Sequence, residues 1–190
     1  MNKIEKMNEK NTKRISKFLS LILRHQPEKI GLKLDSSGWA SIEELLNKSS
    51  NNGVTFTKDE LEFIVKNNDK QRFSLNENQT KIRANQGHSL KNVAIVTETK
   101  TPPPFLYHGT VAKFIPSIKE NGLQKMSRQH VHLSSDLETA KKVGSRRGKP
   151  IILTVQSGAM YKKGYEFFLS ENGVWLTNLI PAEFIEFLDL

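Results

Sequence analysis

The stretch Thr97-Glu98-Thr99-Lys100-Thr101-Pro102-Pro103-Pro104 decides how this chain is divided. Three successive prolines fix φ and withhold backbone donors, so they favour an extended path and resist helix and sheet alike. Near the middle of 190 residues, this stretch predicts two small domains, 1–97 and 105–190, with 98–104 as a proline-rich linker. Basic residues number 29 against 20 acidic, for a net charge of +9 and a pI near 9.7. The first hundred residues hold 18 basic and 12 acidic side chains, the remainder 11 and 8. An excess of this size favours a polyanionic partner such as nucleic acid. There is no cysteine, which excludes disulfides, thiolate zinc sites and a cysteine nucleophile. Met1 to Lys17 is polar and charged, unlike a secretory signal, and no apolar run approaches a membrane span. A soluble cytoplasmic protein with no membrane partner is expected.

Upstream of the prolines, Ile15, Phe18, Leu19, Ile22 and Leu23 repeat at helical spacing over 11–25, and Pro27 ends the pattern. Leu32 and Leu34 alternate with Lys33 as in a short strand, and Ser36-Ser37-Gly38 turns the chain. Ser41 with Glu44, and Thr57 with Glu60, each carry the spacing of a capping box, predicting helices to about Lys48 and over the Leu61-Ile64-Val65 stripe. Residues 71–84 read as a hairpin turning at Asn76-Glu77-Asn78-Gln79. Three helices and a hairpin outline a winged helix; on pattern alone an ordinary α+β lobe fits equally well.

Downstream, Phe105-Leu106-Tyr107-His108 predicts a strand ending at Gly109-Thr110, and 111–121 a short helix closed by Asn121-Gly122. Val131-His132-Leu133 is a strand, and a helix begins at Ser135 or Asp136. Residues 151–155 form a buried strand. Phe167-Phe168-Leu169, Val174-Trp175-Leu176 and Phe184-Ile185-Glu186-Phe187-Leu188 add further strands. The fold class expected is α+β. No GxGxxG or GxxxxGK[ST] occurs, so any nucleotide is held without a Rossmann or P-loop fingerprint.

Arginines stand at the ends of these elements, in Leu23-Arg24-His25-Gln26-Pro27, Lys70-Gln71-Arg72-Phe73 and Gly144-Ser145-Arg146-Arg147-Gly148-Lys149-Pro150. Guanidinium stays charged and chelates phosphate oxygens in pairs, so such clusters suit phosphate chemistry. By themselves, Arg24 and His25 are better read as complementing a helix dipole, and Arg72 as an ordinary surface arginine. Arg83-Ala84-Asn85-Gln86-Gly87-His88-Ser89 is the most specific string. Gly87 lets backbone approach a ligand, and Arg83, Gln86, His88 and Ser89 offer donors for phosphate and ribose. His108, His130 and His132 lack the carboxylate or thiolate company of a metal site, so no metal is expected.

These strings, together with Ser16 to His25, Gly31-Leu32, Gly38-Trp39 and Tyr107-His108-Gly109-Thr110, resemble the RNA 2'-phosphotransferase family, often called the KptA family. The resemblance runs from about Arg14 to Leu188. It implies a winged-helix-like N-terminal lobe and an ADP-ribosyltransferase-like, NAD-binding C-terminal lobe, with 83–89 lining a cleft. It assigns catalysis to Arg24, His25, Arg72 and Arg146, since the pattern Val-Gly-x-Arg-x-Gly-x-Pro selects Arg146 over Arg147. It assigns NAD+ contacts to His108, Gly109, Thr110, His132 and Ser134. Val174 falls where related transferases carry a glutamate; an apolar residue there suits an anionic acceptor. The implied partners are NAD+ and an RNA bearing a 2'-phosphate, the enzyme acting as a monomer. The implied reaction joins the 2'-phosphate to ADP-ribose with loss of nicotinamide. Transesterification then releases 2'-hydroxyl RNA and ADP-ribose 1'',2''-cyclic phosphate. Two rival readings are an ADP-ribosyltransferase acting on nucleic-acid ends or protein, and a non-enzymatic winged-helix nucleic-acid binder. Asp59, Glu60 and Glu62 oppose the second, because they would face DNA phosphate.

Overall fold

The computed structural model describes residues 9–68, 70–94 and 98–187, and it is a mixture of helices and small antiparallel sheets. Thr97, Leu188 and the first eight residues of the Met1 to Lys17 stretch, each read above, lie outside the described residues. The chain forms two compact units, Met1–Val96 and Thr97–Leu190.

In the first unit, helix α1 (Glu9–Arg24) buries Ile15, Leu19, Ile22 and Leu23. A 3₁₀ turn follows at Pro27–Ile30, closed by Gly31 at φ 68°. Strand β1 (Ala40–Ser41) leads into α2 (Ile42–Asn51), whose Ser41 side chain accepts from the Glu44 amide. Helix α3 (Lys58–Lys66) starts with a complete capping box between Thr57 and Glu60. Each such cap contributes about 1 kcal/mol by satisfying an otherwise orphaned amide. The hairpin β2 (Phe73–Leu75) and β3 (Lys81–Ala84) closes the unit, with β3 central and Ala40 opposite Ile82. Ile82 and Ala84 project into one core with the buried faces of all three helices.

The strand expected at Leu32–Leu34 does not form. The Leu32 amide donates instead to the Pro27 carbonyl, and the Asp35 carboxylate accepts from the Ser37 and Trp39 amides. Backbone spent on a local loop leaves none for a ladder, although Leu32 is still buried and Leu34 packs on the core.

In the second unit, β4 (Leu106–Val111) precedes a 3₁₀ turn at Ala112–Phe114 and helix α4 (Ile115–Asn121). Then come β5 (Leu123–Gln124), β6 (Val131–Leu133), and α5 (Leu137–Gly144), capped by Asp136. After these lie β7 (Pro150–Val155), α6 (Ser157–Lys162), β8 (Phe167–Leu169), β9 (Trp175–Thr177), β10 (Leu179–Ile180) and β11 (Ile185–Glu186). The sheets run β11-β7-β4, β6-β9-β8 and β10-β5. Tyr107 and Ser134 exchange both backbone hydrogen bonds, at 2.9 and 2.8 Å, and so tie β4 to the end of β6. Helix α6, strands β5 and β10, and the 3₁₀ turn at Ala182–Phe184 were not expected; that turn shortens the last strand to two residues. The segment before β4 is fastened to this unit. The Lys100 amide donates to the Phe167 carbonyl, the Ser157 hydroxyl to Pro103, and the Gly158 amide to Pro104.

Helix α5 lies directly on β4 because two glycines face each other. A Cβ on Gly109 would stand 1.9 Å from the Ala140 carbonyl oxygen and 2.8 Å from the Gly144 nitrogen. Both obstacles are backbone, so no side chain can yield. Gly109 has no positive φ, so the penalty for alanine is purely steric. Gly109→Ala is expected to lower the unfolding free energy by about 3 kcal/mol. Gly164→Ala, in open space at φ 91°, should cost only about 1 kcal/mol from backbone conformation. Urea unfolding of the two variants checks the difference, and equal losses would remove the close-contact account.

Candidate active site

In the first unit, the C-terminal end of α1 is held by three consecutive residues from beyond the hairpin. Gly87, at φ 86°, passes Arg24 so closely that a Cβ would lie 3.7 Å from its Nη1. The His88 ring bonds the backbone of Leu23. The Ser89 amide donates to the Arg24 carbonyl at 3.0 Å, and its hydroxyl shares a 3.0 Å hydrogen bond with His25 Nδ1. These contacts fall where a helix leaves carbonyls without partners, and they orient the last two side chains.

Arg24 Nη2 donates to the Arg72 carbonyl at 3.5 Å, with its guanidinium carbon 6.0 Å from the Phe73 ring centroid. That carbonyl also accepts from the Asn85 amide, while the Asn85 side chain donates to the Gln71 carbonyl at 2.7 Å. Gln71 takes a positive φ of 39°, which turns the chain into Arg72. Arg72 Nη1 donates to Asn68 Oδ1. Arg83 stacks on Trp39, its guanidinium carbon 4.5 Å from the ring centroid. The structure therefore brings Arg24, His25, Arg72, Gly87, His88 and Ser89 together. Gln86 is half-buried beside them.

His88 lies under this group rather than on its surface, at 1% exposure. Gly38, opposite, takes φ 79° and a Cβ there would meet Val93 at 3.1 Å and His88 Nε2 at 3.4 Å, so this position also favours glycine. Burial pushes the His88 pKa down to about 4, and Arg24, His25 and Arg83 add positive charge in the same direction. His88, which the sequence offered as a ligand contact, is thus buried and neutral in this arrangement.

In the second unit, β4 carries His108, Gly109 and Thr110, and β6 carries His132. His108 Nδ1 donates to the His132 carbonyl at 3.1 Å, which leaves Nε2 as an acceptor. Burial lowers the His108 pKa, and nearby Arg128 lowers it further. Arg128 Nη1 reaches His132 Nδ1 at 3.4 Å. Guanidinium only donates, so His132 accepts through Nδ1 and carries its proton on Nε2. The two histidines are placed in opposite hydrogen-bonding states. Arg146 and Arg147 follow α5 on a 3₁₀ turn, and both are exposed. The Arg147 guanidinium stands 5.8 Å from the Phe114 ring centroid. Val174 is half-buried on a turn where its amide donates to Ser170 Oγ.

Sequence reasoning passed over Arg128. Desolvation lowers its pKa, and the nearby Arg147 and Arg146 lower it further, so three cations lie near one another with Arg128 touching His132. An arginine four residues before a strand histidine was the available signal. Among the described residues no group of three His, Asp or Glu is placed to hold a metal, and no helix is long and apolar enough to cross a membrane.

Comparison with known proteins defines the class this arrangement falls in. The family model "RNA 2'-phosphotransferase, Tpt1 / KptA family" matches residues 10–179. A "Probable RNA 2'-phosphotransferase" of Flavobacterium johnsoniae is 60% identical over 95% of this chain and 99% of its own. Proteins of the same name from Fusobacterium nucleatum and Pectobacterium atrosepticum are 53% and 52% identical, over 93% and 95% of this chain and 99% of theirs. The chain belongs to the RNA 2'-phosphotransferase family, which is a family of transferases.

The buried His88 gives a pH test. Unfolded, it takes up a proton near its ordinary 6.5; folded, not until about 4. The unfolded state therefore binds more protons across that window, and acid favours unfolding. Stability is fully present above about 6.5 and falls by on the order of 3 kcal/mol towards pH 4. His88→Gln is expected to flatten this slope in urea titrations at several pH values. An unchanged slope would show that His88 titrates normally.

Proposed function

We propose that this chain removes an internal 2'-phosphate from RNA with NAD+ as co-substrate, by way of an RNA-2'-phospho-ADP-ribose intermediate. The observation that carries the reading is the clamp on the end of α1, which fixes Arg24 and His25 beside the Arg72 loop. Two guanidinium groups with an imidazole make a site for a phosphomonoester dianion. Family membership supports the substrate class. In this reading the first unit is winged-helix-like and binds the RNA phosphate, while the second is ADP-ribosyltransferase-like and takes NAD+.

The residues of the second unit fit a dinucleotide. His108 Nε2 is an acceptor suited to a ribose hydroxyl, and Arg128 with Arg146 offers positive charge for a pyrophosphate. NAD+ supplies an electrophilic ribose carbon with nicotinamide as leaving group. Arg24 and Arg72 hold the 2'-phosphate and neutralise its charge. In the second step the ribose 2''-hydroxyl attacks the phosphorus and the RNA 2'-oxygen leaves. His25, positioned by Ser89, is the group that moves the proton. The crowded anionic phosphorus is stabilised by guanidinium groups already in place, without a metal. His88 and Ser89 act by positioning.

The test is incubation of a short RNA carrying one internal 2'-phosphate with the pure protein, with and without NAD+ and without added metal. NAD+-dependent release of ADP-ribose cyclic phosphate is expected. RNA that retains ADP-ribose would identify a transferase that halts after its first step. Arg24→Ala should fold normally and lose about 10²–10³ in rate, with transesterification impaired more than ADP-ribosylation. Arg128→Ala and Arg146→Ala, compared side by side, assign the cation of the second unit; wild-type turnover by both would remove that unit's arginines from the mechanism.

A further inference from the structure

The basic face of α1 extends well beyond the phosphate-binding end. At 100° per residue, Lys10, Lys13, Lys17 and Arg24 fall within a sector of about 60° on the side opposite the buried Ile15, Leu19 and Ile22. Lys13 and Lys17 are exposed, and the only acidic residue in α1 is Glu9 in its first turn. Arg14, just outside the sector, is turned aside to Asn11, to which it donates twice. The stripe runs parallel to the axis. At 1.5 Å per residue, Lys17 and Lys13 lie about 10 and 16 Å from Arg24. The flank of the helix borders the Arg72 loop, because Asn68 donates through Nδ2 to Ser16 Oγ and accepts through Oδ1 from Arg72 Nη1. Like charges at i, i+4 weaken a helix, and within α1 only Glu9, four residues before Lys13, offsets this stripe, leaving Lys17 without an acidic neighbour on its own helix. It lines no core and caps no end. Its direction, straight to Arg24, is what an extended polyanion passing through the phosphate site would require.

We infer that the Lys13–Lys17 stripe of α1 is a rail for the sugar-phosphate strand flanking the 2'-phosphorylated nucleotide. This rests on the function proposed above and adds a second binding element to it. The contact is to backbone phosphate, so it lends affinity without sequence preference and makes binding salt-dependent. It also implies that RNA longer than the reacting nucleotide is held better than a minimal fragment.

The experiment compares wild type with Lys13→Gln/Lys17→Gln on two substrates at saturating NAD+. One is a 2'-phosphorylated dinucleotide, the other a single strand of about twelve nucleotides with the same phosphate at its centre. For the variant, KM on the long strand should rise about fivefold with kcat unchanged, and the salt dependence should flatten by about one logarithmic unit per decade. The dinucleotide should be processed as by wild type. Loss on both substrates alike, or on neither, overturns the inference. Fluorescence anisotropy with the long strand lacking the 2'-phosphate gives a readout independent of turnover. Weaker binding by the variant supports the rail, and equal binding overturns it. Failure of wild type to process either substrate would instead strike the proposed function, leaving the anisotropy to decide the rail.

Discussion

The first unit depends on how the end of α1 is held. A helix terminus leaves carbonyls unsatisfied, and positively charged side chains placed there repel one another unless something fixes them. Residues 87–89 solve both problems with three adjacent contacts, to Leu23, Arg24 and His25. The aim of the two candidate catalytic side chains is thus a property of backbone hydrogen bonds and one buried imidazole. Burial among arginines keeps His88 neutral at ordinary pH.

The second unit rests on a different constraint, the absence of side chains. Gly109 and Gly144 let α5 touch β4 backbone to backbone, and the turn bearing Arg146 and Arg147 follows directly from that helix. The same strand carries His108, one residue before the contact. A methyl group at Gly109 would therefore move both the histidine strand and the arginine turn. The glycine in His108-Gly109-Thr110 serves packing first, whatever it does for a ligand.

Much of this was legible in the residues. Both capping boxes predicted helix starts correctly, because the Ser41–Glu44 and Thr57–Glu60 spacings act through local bonds. The hairpin at 71–84 followed from alternation and its Asn-rich turn. What failed was decided at longer range. Leu32-Lys33-Leu34 has a strand's alternation but no partner, and the loop bonds of Asp35 take its place. Phe184 sits in a 3₁₀ turn because the strand there needs only two residues to edge β7. The grouping of Arg24, His25 and Arg72 was expected from family resemblance, not from spacing. The burial of His88 and the convergence of Arg128 on His132 belong to three dimensions, since neither leaves a periodic trace.

The clamp also ties chemistry to the folding reaction. His25 and Ser89 are 64 residues apart in sequence, and closing a loop of that length costs about 4 kcal/mol in chain entropy. No local helix formation recovers it; only the packed hairpin and core between them can. An isolated α1, or a unit caught before its hairpin docks, would carry Arg24 and His25 with no defined aim. The candidate site therefore depends on long-range closure of its unit, and its presence signals that this closure is complete.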